Sequence, residues 1–112
     1  MLTIAIVLLT LVAMIGISLA SDTFKAVSSP LGLRILHACL SCAGSVLVII
    51  TAYTGNARLW INVGLALLFI PLGCMLGYKR SRGIHSKSLA TAHGGLAVVC
   101  FAVLLYNAYG PW

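Results

Sequence analysis

The chain has 112 residues, of which 62% are hydrophobic and 7% charged, with a mean hydropathy of +1.14 and a net charge of +6. A soluble domain carries about 25% charged residues, so this sequence cannot cover a folded core with a water-compatible surface. That excludes a soluble enzyme and a nucleic-acid-binding domain, and predicts an all-α integral membrane protein in a single membrane domain over residues 1–112.

Residues Met1–Ala20 are free of charge, and about twenty helical residues rise roughly 30 Å, the thickness of a bilayer's hydrocarbon core. Ile17-Ser-Leu-Ala20 before Ser21 resembles a signal-peptidase site, but no Lys or Arg precedes the apolar stretch. A retained first span is the expectation. Ser21 to Gly32, with Asp22, Lys25, Ser28, Ser29 and Pro30, is a polar, turn-rich connection. The second span is expected over 35–57, bracketed by Arg34 and Arg58, with Thr54–Ala57 as a short turn that makes spans two and three antiparallel neighbours. The third span, 59–78, contains Pro71 and Gly73, and a kink is expected near the proline because it lacks a backbone donor. Lys79–Lys87, KRSRGIHSK, is the most polar run, and the fourth span follows at 88–109.

Charge predicts topology. Lys25, Arg34, Lys79, Arg80, Arg82 and Lys87 fall on one side of these spans and only Arg58 on the other. Cytoplasmic loops carry the excess of Lys and Arg, so both termini are expected outside the cytoplasm, N-out and C-out. Tyr53, Trp60, Tyr106, Tyr109 and Trp112 form a candidate aromatic belt on that outer side.

The halves echo each other at an offset of 56 residues: Leu33, His37, Leu40, Ala52 and Tyr53 recur as Leu89, His93, Leu96, Ala108 and Tyr109. The repeated His and Tyr are the informative matches, since Leu and Ala recur by chance in so apolar a chain. This predicts a duplicated two-helix hairpin.

His37 and His93 are the main candidate site residues. Both fall just inside a span on the cytoplasmic side, where two imidazoles from opposite helices of a four-helix bundle could ligate one haem b axially. Small residues follow each: Gly94, Gly95 and Ala97 after His93, and Ala38, Ser41 and Gly44 after His37. Such residues suit a flat macrocycle and close helix packing equally. The competing readings are a purely structural pairing of helices, and contact with a quinone or a metal.

Cys39 and Cys42 share a helix face as a weak metal alternative, but His37 points nearly opposite Cys39. Small apolar packing is the better account of the cysteines. Lys79, Arg80, Arg82 and Lys87 are candidates for contact with anionic headgroups or a partner subunit, against the plainer reading of a topogenic loop. His85, in that run, is expected to be solvated. Asn62 and Asn107, near outer span ends, are expected to cap or pair there.

No acid falls within a span, so a proton-coupled small multidrug exporter fits poorly. Without a nucleophile–base pair, a carboxylate pair or a Gly-rich phosphate loop, the chain is not expected to be an enzyme on its own. A channel or holin would need a polar stripe, and Thr3, Thr10, Ser18, Ser45, Thr51 and Asn62 do not form one.

The segment Lys87-Ser-Leu-Ala90 with His93-Gly-Gly-Leu-Ala97 resembles segments of small uncharacterised bacterial four-helix membrane proteins. It is also similar to the histidine-bearing helices of b-type cytochrome membrane domains, with a fainter likeness at Leu33–Ser41. The second resemblance implies His37 and His93 as axial ligands and a quinone-linked electron path. Multi-haem b cytochromes carry histidines near both faces, which this chain lacks. The combined expectation is a multi-pass subunit of a bacterial inner-membrane complex, in contact with lipid and other membrane subunits. Its alternative is a structural accessory subunit with no cofactor.

Overall fold

The computed structural model describes residues 1–111; Trp112, assigned above to the aromatic belt, lies outside the described residues. Helix α1 spans Leu2–Phe24, α2 Leu31–Tyr53, α3 Trp60–Ser81 and α4 Lys87–Tyr109, with a 3-10 turn at Ala57–Leu59 leading into α3. Among the described residues there is no strand. All four helices are long and apolar enough to cross a membrane.

The helices overrun the charge-free stretches, for local reasons. α1 continues past Ala20 to Phe24, and the Thr23 hydroxyl turns back to donate to Leu19 O at 3.2 Å. α2 begins at Leu31, directly after Pro30, so Arg34 lies in its first turn. A proline there costs nothing, because the first amides of a helix have no intrahelical acceptor. The second helix therefore sits four residues earlier than the charge-free stretch 35–57. It stops at Tyr53, where Gly55, at φ +136°, makes a turn that a side chain would strain. α3 runs on through Pro71 and carries Lys79 and Arg80 in its last turn, where the helix dipole favours cations. Ser86 caps α4 by accepting from Leu89 N–H at 3.4 Å.

The backbones form a ring. α1 packs most extensively on α2, and α3 on α4; α4 closes against α1, and α2 meets α3 over a shorter contact. α1 and α3 are thus one diagonal, α2 and α4 the other. Close approach within the first hairpin is visible at Gly44, where a Cβ would lie 2.7 Å from Leu9 Cδ2.

Both hairpin connections lie at one end, where Val27, Ser28 and Ser29 of one and Gly83 and His85 of the other line a common cavity. The turn between α2 and α3 lies at the opposite end. A buried cluster of Ala5, Ile6, Val48, Ala52, Leu59 and Leu104 fills that turn end. Elsewhere large apolar side chains point outward: Ile17, Leu67 and Val98 are each 70% exposed or more. A surface of that kind is suited to lipid or to other proteins, and not to water.

Candidate functional site

His37 and His93 are each the seventh residue of their helix, α2 and α4, and those helices start from the same end of the bundle. At 1.5 Å per residue both lie about 9 Å along from the first residue. The structure therefore puts them at one level on diagonal helices.

Each ring turns into its own hairpin. His93 Nδ1 lies 2.9 Å from Phe69 O on α3, its ring meets that of Phe69 edge to face at 5.7 Å, and it packs over Gly73. A Cβ on Gly73 would fall 2.7 Å from His93 Cε1, so only glycine leaves room for the imidazole. The first hairpin repeats the arrangement more loosely. The His37 ring packs over Gly16 of α1, where a Cβ would lie 3.2 Å from Cε1. The Val12 backbone is within interaction range, but Nδ1 is buried without a hydrogen bond of normal geometry. Phe69 and Val12 each stand four residues before the glycine, so each ring addresses the same turn of its partner helix.

The glycines beneath the rings are the residues that sequence reasoning missed. A strict 56-residue offset pairs Gly16 with Leu72. The correspondence to Gly73 is one residue longer, because twenty-one residues separate Gly16 from His37 and twenty separate Gly73 from His93. Gly94 and Gly95, which were expected to give the histidine its flat neighbourhood, would meet nothing within 4 Å if given a Cβ.

A second polar constellation lies towards the turn end. Asn107 Nδ2 donates to Asn62 Oδ1 at 3.1 Å, and Asn62 Nδ2 donates to Cys100 O at 2.7 Å, tying α3 to α4. The two amides do pair, and both are buried. Cys39, Cys42 and Cys74 are exposed and Cys100 is half-buried. Among the described residues no group of three or more His, Cys, Asp or Glu converges as a metal site.

The basic residues diverge. Arg82 is exposed and lies over the Tyr78 ring, 5.9 Å from its centroid, Lys87 is exposed and Lys79 half-buried. Arg80 instead reaches across the α1–α3 diagonal. Its Nε donates to Thr23 Oγ1 at 3.1 Å, and one terminal nitrogen donates to the same oxygen at 2.7 Å and to Leu19 O at 2.8 Å. That clasp joins the two hairpins at the connection end.

The fold and site define a four-helix protein of membrane-spanning proportions with one histidine–glycine contact per hairpin. Comparisons with protein-family models, with curated proteins and with solved structures return no match.

Proposed function

We propose that the chain is a multi-pass integral protein of a bacterial inner membrane, N-out and C-out, that serves as a small accessory subunit of a membrane complex. The observation that carries this reading is the use each histidine makes of its ring: it pins α2 to α1 and α4 to α3 over a glycine. A polar group within apolar helices is stabilised by a partner on a neighbouring helix; His93 has one in Phe69 O, and His37 contributes by packing over Gly16. The outward apolar side chains support burial in lipid and against other subunits. The matched His–Gly contacts favour a duplicated hairpin as the origin of the fold. Six of the seven Lys and Arg residues lie at the connection end, which supports placing that end in the cytoplasm.

One observation favours a second reading, a b haem or a quinone headgroup at His37 and His93. A ligating histidine commonly donates its other ring N–H to a backbone carbonyl, which fixes the tautomer and leaves Nε2 with a lone pair. His93 Nδ1, facing Phe69 O, is so disposed. Two imidazoles at one level are suitable iron donors, though each ring is turned into its own hairpin, so His37 and His93 would have to leave their glycines to hold a haem, which would supply one-electron redox chemistry.

The test is a reduced-minus-oxidised visible spectrum, with pyridine haemochrome quantitation, on membranes and on protein extracted in mild detergent. Affinity capture runs alongside it. A colourless chain that captures the same membrane partners from independent preparations supports the accessory role. A b-type spectrum near one haem per chain, lost in both His37→Ala and His93→Ala, replaces it with the redox reading. A solitary chain that conducts ions in liposomes sinks both.

A further inference from the structure

The connection end contains a small cavity that neither reading uses. It has a volume of about 50 Å³ and is lined by Val27, Ser28, Ser29, Arg34, Arg80, Gly83 and His85. The lining comes from both connections and from both hairpins: the start of α2 gives Arg34 and the end of α3 gives Arg80. A water needs roughly 10–15 Å³ of such space, so the volume suits a few waters or one tetrahedral anion.

Its charge is unbalanced. Arg34 and Arg80 lie close enough to repel one another, and Asp22, the chain's sole acid, is the nearby carboxylate that acts on Arg80. Arg80 has committed Nε and one terminal nitrogen to Thr23 and Leu19. Arg34 has the reverse situation: its Nε is buried with no hydrogen-bond partner. A buried donor left unpaired is costly, more so when charged. The same guanidinium lines a cavity shared with a second guanidinium, an imidazole and two serines, and among the described residues it enters no ion pair or hydrogen bond that would compete with an anion there. His85, at the edge of this cavity, is half-buried.

We propose that this cavity is a binding site for a phosphate group, either on the headgroup of an anionic phospholipid or as free phosphate. The planar fork of Arg34 and the uncommitted terminal nitrogen of Arg80 match phosphate oxygens in geometry and charge, and Ser28 and Ser29 add neutral donors. The site moves anion recognition away from the exposed Arg82 and Lys87 to a defined junction between the hairpins. An anion there would complete the clasp that Arg80 begins, by screening the repulsion between the two arginines. Free phosphate would bind whether or not the chain lies in a bilayer; the headgroup form rests on the membrane reading.

The experiment uses the full chain in mild detergent, with Arg34→Gln and His85→Gln as cavity variants and Arg82→Gln as an outside control. Native mass spectrometry reports retention of short-chain phosphatidic acid against phosphatidylcholine. A thermal shift titration reports inorganic phosphate against chloride at matched ionic strength. Wild type and Arg82→Gln are expected to bind alike. Arg34→Gln should weaken binding about ten- to hundredfold, the equivalent of one lost charge-assisted hydrogen bond, and His85→Gln less. Phosphatidic acid retained without a phosphate response assigns the headgroup; equal competition by inorganic phosphate assigns the free anion. The proposal is overturned if neither probe binds, or if Arg82→Gln lowers binding as much as Arg34→Gln. If Arg34→Gln does not fold, unchanged binding in His85→Gln overturns the assignment of the site to this cavity.

Discussion

Nδ1 of His93 lies 2.9 Å from the carbonyl oxygen of Phe69, one helix away in the same hairpin. Phe69 O is also positioned to receive the helical N–H of Gly73, so the carbonyl serves its own helix and its neighbour at once. Interhelical hydrogen bonds of this kind contribute about 0.6–2 kcal/mol in apolar surroundings. His93→Ala is predicted to destabilise the protein by about that amount plus the cost of the void it leaves. His37→Ala should cost less, since its ring lacks the bond. Thermal unfolding in detergent would rank them, and equal losses would show that the Phe69 contact contributes little.

Gly73 and Gly16 should differ in the same direction. A methyl at Gly73 falls 2.7 Å from His93 Cε1, and at Gly16 3.2 Å from His37 Cε1. The first forces the ring or the helix to move, while the second asks for a few tenths of an ångström. Gly73→Ala is therefore predicted to be the more damaging, by about 1–3 kcal/mol in the manner of overpacked interiors. The combination Gly73→Ala with His93→Ala should recover part of the loss. No recovery would mean that the methyl clashes with something other than the imidazole.

The amides at the other end make a separable test. Asn107 donates to Asn62 at 3.1 Å, and both are buried. Replacing either by leucine strands the other, whereas replacing both removes the need. The double variant is predicted to be less damaged than the sum of the singles, with a coupling of about 1 kcal/mol. Additive losses would show that the pair does not act as a unit.

Orientation can be read chemically. With the four native cysteines replaced, Ser28→Cys and Asn56→Cys place thiols at opposite ends of the bundle. In intact cells a membrane-impermeant maleimide is predicted to label Asn56→Cys directly, and Ser28→Cys only after permeabilisation. The reverse pattern would overturn the assignment of the basic end to the cytoplasm.

Charge-free runs announced the four helices well, because an uninterrupted apolar stretch of that length has few other uses. Their ends were less legible. Arg34, Lys79 and Arg80 look like span boundaries in a string of letters, yet all three are helical, because a guanidinium or ammonium on a long stem can leave the helix surface while its backbone stays in register. The paired histidines were visible as a repeat, but their glycines were not, since one residue of difference between the hairpin connections breaks the offset. The cavity at Arg34 could not be read at all. It depends on two connections of unrelated sequence meeting at one end, and nothing local in either reports the other.

The reach of Arg80 to Thr23 and Leu19 sets a timetable for a chain made from its N-terminus. The last turn of α1 emerges long before the guanidinium that joins it, with the whole of α2 and most of α3 synthesised in between. Until then the buried hydroxyl of Thr23 is bonded only to its own helix. The first hairpin thus forms as a provisional pair, and its clasp to the second hairpin can close only when α3 is complete.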